Sequence, residues 1–472
     1  MMDATPTPVR DADPARDPCA AMVAKLNVSV GNRRRARLHF VGRHPFGAEE
    51  VLEFALGNGL RVLIVQDHRA PVVSYNTWFR VGSRHEREGK TGLAHLFEHL
   101  MFNETKNLPA GRFDKLLERA GAETNAATWN DWTYYYENVP ADQLPLVARL
   151  ESERMANLVL RKGPVSSEKE VVANERRYRV DDDVEGTVSE TLWATAYTVH
   201  PYHHSTIGWM QDILAFTPED CRAFYRTWYA PNNATLVLVG DVVLPRALRL
   251  IQRYYGHLAP AQMPDEDAPE EPTQGGERRV SLTRATPTDK VALGYKCPGL
   301  GHPDHAALSV LAESLIGGRS ARFYRALVTE QEIATDISGW ASTFRDPGLW
   351  ELACTARSGV GAESLLAALD RGLDALLTRP ITADERDRSV SRMELAFLRG
   401  LETVGGRAEQ VGFYDTVLGD PTGAFARLEA LRAVTVDDLQ RVASTWLRRH
   451  DRTVVLVHAE APPADAAPAE DA

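Results

Sequence analysis

The sequence predicts a folded body of mixed strands and helices, built as two similar halves. Three observations carry this. An apolar alternating run is broken by a tight-turn dipeptide near the start of the body. A strand-then-helix order recurs after an acidic, Pro/Gly-rich stretch. A chain of 472 residues with 44% apolar content is also longer than one core serves, since single cores stop growing at roughly 250 to 300 residues.

Taken in order, residues 1–46 read as a disordered tail rich in Pro, Ala and Asp. From Glu50, "VLEFALGNGLRVLIVQD" runs apolar on both sides of Asn58-Gly59 and predicts a strand pair. "VVSYNTWFRVG" adds a strand of branched and aromatic residues, and a helix follows from Thr91. "NNATLVLVGDV" is a further strand, leading into a helix through "LPRALRLIQRYYGHL". Residues 263–278 lack apolar periodicity and read as a linker, which bounds a first domain at 47–262. Beyond it "KVALGYKCPG" reads as a strand and "DHAALSVLAESLIGG" as a helix, while "RTVVLVHAE" mirrors "ATLVLVGDV". A duplicated domain therefore spans 279–460, with a second disordered tail at 461–472.

Composition excludes several functions. A formal net charge of -11 and a pI near 5.7 argue against a nucleic-acid surface, which needs clustered Lys and Arg. The four cysteines are far apart without a Cys-x-x-Cys pair, so they predict buried thiols and neither a disulfide framework nor a thiolate metal site. No apolar run is long enough for a membrane span or a secretion signal, and the expectation is a soluble, cytoplasmic protein without membrane attachment.

Chemistry concentrates in "TGLAHLFEHLMFNETK". On a helix, His95, Glu98 and His99 fall within about a third of the circumference. Leu93, Ala94, Leu96, Phe97 and Leu100 surround them with apolar surface, so the helix should be buried. Imidazoles four residues apart can share one zinc ion, but a catalytic zinc needs a third protein ligand and an open position for water. "SSEKEVVANERR" supplies candidates, because Glu168 and Glu175, seven apart, share one helix face. Glu175 is assigned as the ligand, with Glu168 as a supporting partner or an alternative ligand. Glu98, offset around the helix, is placed to act as the base on the zinc-bound water, which predicts peptide hydrolysis. The duplicated half has Ala, Leu and Ser where the first has the trio, so the metal chemistry belongs to the first half. The histidines of "VHPYHH", His200, His203 and His204, read as a hydrogen-bonded loop. "WNDWTYYYENV" reads as strand packing.

His-x-x-Glu-His is the inverzincin motif. With "GAETNAATWNDWTYY", "LESERMANL", "EKEVVANERR" and "PYHHSTIGW", it makes residues 48–460 resemble the pitrilysin/insulinase family of zinc peptidases, in its mitochondrial-processing-peptidase-like branch. The resemblance implies an α+β fold of two homologous domains, each a mostly antiparallel sheet packed with helices, around a chamber. It implies one zinc ion on His95, His99 and Glu175, Glu98 as base and Glu168 in support. It also implies that the peptide substrate adds as a strand beside "TNAAT", where Asn125 and Ala126 are the expected contacts.

Active single-chain relatives look like "LRTxxxLxY" in the second half, an Arg and a Tyr that steady the oxyanion. This sequence has Val328 and Thr335 there, and neither replaces those donors. A heterodimer with a homologous subunit that lacks the zinc motif and supplies the pair is therefore expected. The competing readings are a non-catalytic scaffold or assembly subunit, which would ordinarily have lost the trio, and a shorter, single-domain LuxS-like metallolyase.

Overall fold

The computed structural model describes residues 17–265 and 268–460. The first sheet holds β1 (Leu38–Phe46), β2 (Glu49–Leu56), β3 (Arg61–Gln66), β4 (Val72–Phe79), β5 (Glu123–Thr128), β6 (Thr133–Pro140) and β7 (Ala234–Gly240), in the order β1-β2-β3-β7-β4-β6-β5. The second holds β8 (Arg278–Arg284), β9 (Lys290–Cys297), β10 (Ala334–Ala341), β11 (Gly348–Ala356) and β12 (Arg452–Ala459), in the order β10-β11-β9-β12-β8. Only β3–β7 and β8–β12 are parallel; the other neighbouring pairs are antiparallel.

The duplication is explicit in this topology. The series β5-β6-β4-β7-β3 is repeated as β10-β11-β9-β12-β8, with the parallel pair in the same place. "ATLVLVG" and "RTVVLVHA" are the equivalent strands, and each is an apolar run because a central strand is covered on both faces. The fold is thus α+β in two related, mostly antiparallel halves. The predicted hairpin is β2–β3, and Gly59 takes the left-handed conformation its turn requires, at φ 92°.

Helices α1 (Pro18–Val28), α2 (Leu93–Leu100), α3 (Leu144–Asn157), α4 (Lys162–Arg176), α5 (Val184–Ala196), α6 (Leu244–Tyr255), α7 (Asp304–Ile316) and α8 (Val404–Leu418) cover the sheets. The expected N-terminal tail needs correction. Asp17 caps α1, accepting from the Cys19 N–H at 2.7 Å, and Pro18 occupies its first turn. Cys19, Val23 and Leu26 enter the first core, and β1 pairs along β2, so the body includes residues 17–46. Gly42 and Pro45 hid the strand signal. Residues 1–16 and the predicted tail at 461–472 lie outside the described residues.

The halves interlock. Helix α5, from the first half, packs Val188, Leu192 and Ala196 onto Ala292, Leu349, Val455 and Val457 of the second sheet. Helix α8, from the second half, returns Ala408 and Val411 to Trp78, Tyr134, Val237 and Val239 of the first. On α8, buried Asp415 pairs with Arg61 at 2.5 Å and accepts from Thr235 at 2.9 Å. Between α6 and β8 the described residues form no regular element, and Arg278, the last expected linker residue, already opens β8. This connection is pinned, since Glu271 accepts from the backbone N–H groups of Thr198, Val199 and His200 at 2.8–3.0 Å. No helix among the described residues is long and apolar enough to cross a membrane.

Candidate active site

Helix α2 is short and largely buried, so its position depends on how its ends are held. Gly92 precedes it at φ 93°, and a Cβ there would meet the Ile207 carbonyl oxygen at 2.4 Å. The exposed N–H groups of its first turn are met from a loop. Glu86 accepts from Gly92 and Ala94, each at 2.7 Å. Asp212 accepts from both the N–H and the hydroxyl of Thr91, at 3.1 and 2.7 Å. Burial pushes the Glu86 carboxyl well above the usual carboxylate range, against those two amide bonds. Beneath the helix, the Tyr135 hydroxyl donates to the Phe97 carbonyl at 3.0 Å.

Helix α4 crosses α2 and brings the carboxylates. The Glu175 Oε2 lies 3.6 Å from His95 Nε2 and 3.3 Å from His99 Nε2. One atom from each of His95, His99 and Glu175 falls within 4.8 Å of the others, a spacing that admits one cation. Glu168, two turns earlier, faces His99 Nδ1 at 3.6 Å and accepts from the Asn103 side chain at 2.9 Å. Glu175 is braced outside by Arg179 at 3.1 Å, while the next residue, Arg176, anchors α4 through a paired contact with Glu190 and a bond to the Gly208 carbonyl.

The electrostatics divide the two imidazoles. Burial lowers His95 to about 4, so its ring is neutral at ordinary pH. Burial also works against a charge on His99, but the Glu168 and Glu175 carboxylates beside it outweigh that and raise the ring to about 9. Both carboxyls are correspondingly lowered, most of all by the His99 ring beside them. Two carboxylates thus gather positive charge at one point, and His95 Nδ1 is buried without a hydrogen-bond partner. Two imidazoles with one carboxylate are a fitting donor set for zinc.

Glu98 is half-buried, and its carboxyl is raised by burial against the Thr128 hydroxyl and the His99 charge. Thr128 ends β5, which among the described residues pairs only with β6 and so leaves its other edge open. Asn125 is exposed on that strand, and its side chain accepts from the Ala126 N–H at 2.9 Å. Val328 packs against the second core, and Thr335 donates to the Thr355 carbonyl at 3.4 Å. His200 meets Asp346, His203 the His200 carbonyl, and His204 the Ser205 carbonyl, as hydrogen-bonded loop residues.

Sequence reasoning missed Glu86, Asp212, Asn103 and Thr128. Asn103 stands inside the quoted motif, one turn past His99. Glu86 and Asp212 carry no local signal, because Glu86 lies in a loop six residues before Gly92 and Asp212 on the helix Met210–Ala215, neither at the position where a capping residue is sought.

Comparison with known proteins places the chain in a family. Residues 61–208 match the model of the insulinase family (peptidase family M16), and residues 215–393 match that of the peptidase M16 inactive domain. The chain is 32% identical to the zinc protease PqqE of Helicobacter pylori over 406 residues, 85% of this chain and 91% of that protein. It is 24% identical to the mitochondrial-processing peptidase subunit beta of Lentinula edodes over 408 residues, 83% and 86% of the two chains. The crystal structure of a protease from Helicobacter pylori superposes with a TM-score of 0.82 at 31% identity, covering 86% of this chain and 98% of that one. With the inverted motif, the doubled sheet and these likenesses together, the chain belongs to the insulinase family of zinc peptidases, peptidase family M16.

Proposed function

We propose that this chain is a zinc-dependent endopeptidase acting on peptides or unfolded segments, with His95, His99 and Glu175 holding the metal and Glu98 serving as general base. The convergence of one atom from each of those three residues within 4.8 Å, beside a half-buried carboxyl of raised pKa, carries the reading. Zinc, when bound, supplies Lewis acidity toward water and the scissile carbonyl. Glu98 takes the proton of the attacking water on its carboxylate and returns it to the leaving amine. Glu168 holds His99 through Nδ1, fixing the ring so that Nε2 faces Glu175. The open edge of β5 receives the substrate as an added strand, and Asn125 releases the Ala126 N–H to pair with it.

The absence of an oxyanion donor pair at Val328 and Thr335 supports a second part of the proposal, a homologous partner subunit that provides it. The loss of one such donor costs roughly a hundredfold or more in kcat. The test is Glu98→Gln in the zinc-loaded protein. Peptide cleavage, followed by mass spectrometry, should fall at least a hundredfold while zinc content stays at one ion per chain. Undiminished cleavage would assign the hydrolysis elsewhere. A chain without zinc in either form would favour a scaffold role.

A further inference from the structure

Two indoles at the seam between the halves are left in solvent. Trp129 directly follows β5 and is 43% exposed, and Trp340 on β10 is 40% exposed. Both belong to edge strands or their ends, at equivalent places in the two sheets. Phe344, only 3% exposed, stands between them, with ring centroids 6.4 Å from Trp129 and 6.2 Å from Trp340, the latter nearly perpendicular.

The backbone that carries Trp129 is firmly held at both its N–H and its carbonyl. The Trp129 N–H donates to the Trp132 carbonyl at 2.9 Å, and its carbonyl accepts from Ser83 at 3.1 Å. A Cβ on Gly82 would lie 2.2 Å from that carbonyl oxygen, so the approach depends on glycine. In the same turn, buried Asp131 accepts from the Arg345 N–H at 2.9 Å and from the Tyr202 hydroxyl at 2.7 Å, tying the tip of the β5–β6 hairpin to the loop that carries Phe344. Glu351, which faces Trp340 across the β10–β11 pair, accepts from the Trp193 indole at 3.2 Å. Rigid, preorganised aromatic surface left in water is a mark of recognition rather than of packing.

Its location says what it recognises. Trp129 is the neighbour of Thr128, whose hydroxyl lies close enough to Glu98 to act on its carboxyl, and it continues the open edge of β5. A strand laid on that edge advances roughly 3.3 Å per residue, so side chains about one to three residues from the scissile bond come level with the two indoles. Building on the endopeptidase reading, we infer that Trp129 and Trp340, spaced by Phe344, form a subsite for one large apolar or aromatic side chain of the peptide substrate.

The test uses matched peptides that differ only in Trp, Phe, Leu or Ala at each position flanking the cleaved bond, digested by the zinc-loaded full chain. Aromatic peptides should exceed their alanine counterparts by about tenfold in kcat/KM, through KM, at one position. Trp129→Ala and Trp340→Ala should collapse that ratio toward unity, and Trp129→Phe should retain most of it. In parallel, fluorescein-labelled aromatic peptide is titrated into Glu98→Gln, with and without Trp129→Ala, and sedimentation reports the oligomeric mass. Cleavage with a ratio that neither substitution moves overturns the subsite and leaves the peptidase reading intact. A lowered mass with the ratio unchanged also overturns it, and makes the indoles an interface between chains. No cleavage by the chain alone, with aromatic-peptide binding lost on Trp129→Ala, retains the subsite and assigns hydrolysis to the chain paired with its proposed partner subunit.

Discussion

Single residues set the charge balance of the interior. Arg154 is fully buried, 3.0 Å from Glu137 and 2.5 Å from Glu151, and lies over the rings of Tyr135, Phe113 and Phe102. Burial, with Glu151 beside it, raises Glu137 well above the carboxylate range, so one proton and one guanidinium serve two carboxyls. Arg154→Met leaves those carboxyls without their cation. It should cost about 3–5 kcal/mol in urea denaturation, whereas a surface change such as Arg161→Met should cost little. Glu351 gives a pH signature. Burial pushes it up to about 7 against the Trp193 and Trp340 indoles beside it, while an unfolded glutamate titrates near 4.3. The folded chain therefore keeps a proton that the unfolded chain has released. Its contribution is full below about 4.3 and is lost as pH rises through 7. Relative to Glu351→Gln, the wild type should lose about 2 kcal/mol between about pH 5 and pH 7, read from denaturation midpoints.

At the level of elements, the first turn of α2 decides whether the two histidines are presented to α4. Glu86 supplies two of the acceptors that this turn needs, so Glu86→Ala should destabilise the protein by about 1–3 kcal/mol. Hydrogen exchange should rise first at Gly92–Ala94, and zinc affinity should fall although no proposed ligand has changed. This cap was not legible in the sequence, because its acid lies in a loop and not at the position where capping residues are sought. What was legible had a period or a fixed spacing. β7 and β12 are unbroken apolar runs, and α2 sets its polar residues three and four apart. That spacing, with the seven-residue offset from Glu168 to Glu175, offers either carboxylate as a third ligand, and the structure brings Glu175 together with His95 and His99. By contrast, β1 is interrupted by Gly42 and Pro45, and only pairing with β2 reveals it as a strand. The exchange of α5 and α8 was equally hidden. α8 buries Arg407, Ala408, Val411, Gly412, Tyr414 and Asp415, so no single stripe tells which sheet it serves.

At the level of the whole molecule, that exchange makes the two halves one cooperative unit. Residues 17–262 expressed alone would leave Trp78, Tyr134 and Val237 bare where α8 should lie, and would strand α5 without its sheet. The isolated half should be insoluble or bind a hydrophobic dye, and co-expression with residues 263–460 should restore a soluble complex, measured by co-purification. A nick in the connection at residues 263–277 should, by the same reasoning, leave both pieces attached and the fold intact. The interlock also sets a schedule for synthesis. The sheet that carries the histidine helix leaves the ribosome well before α8 is translated, a delay of roughly ten to thirty seconds at ordinary elongation rates. Throughout that interval a wall of indole and phenol rings faces solvent or a chaperone, and the nascent first half stays unfinished until almost the last helix has been made.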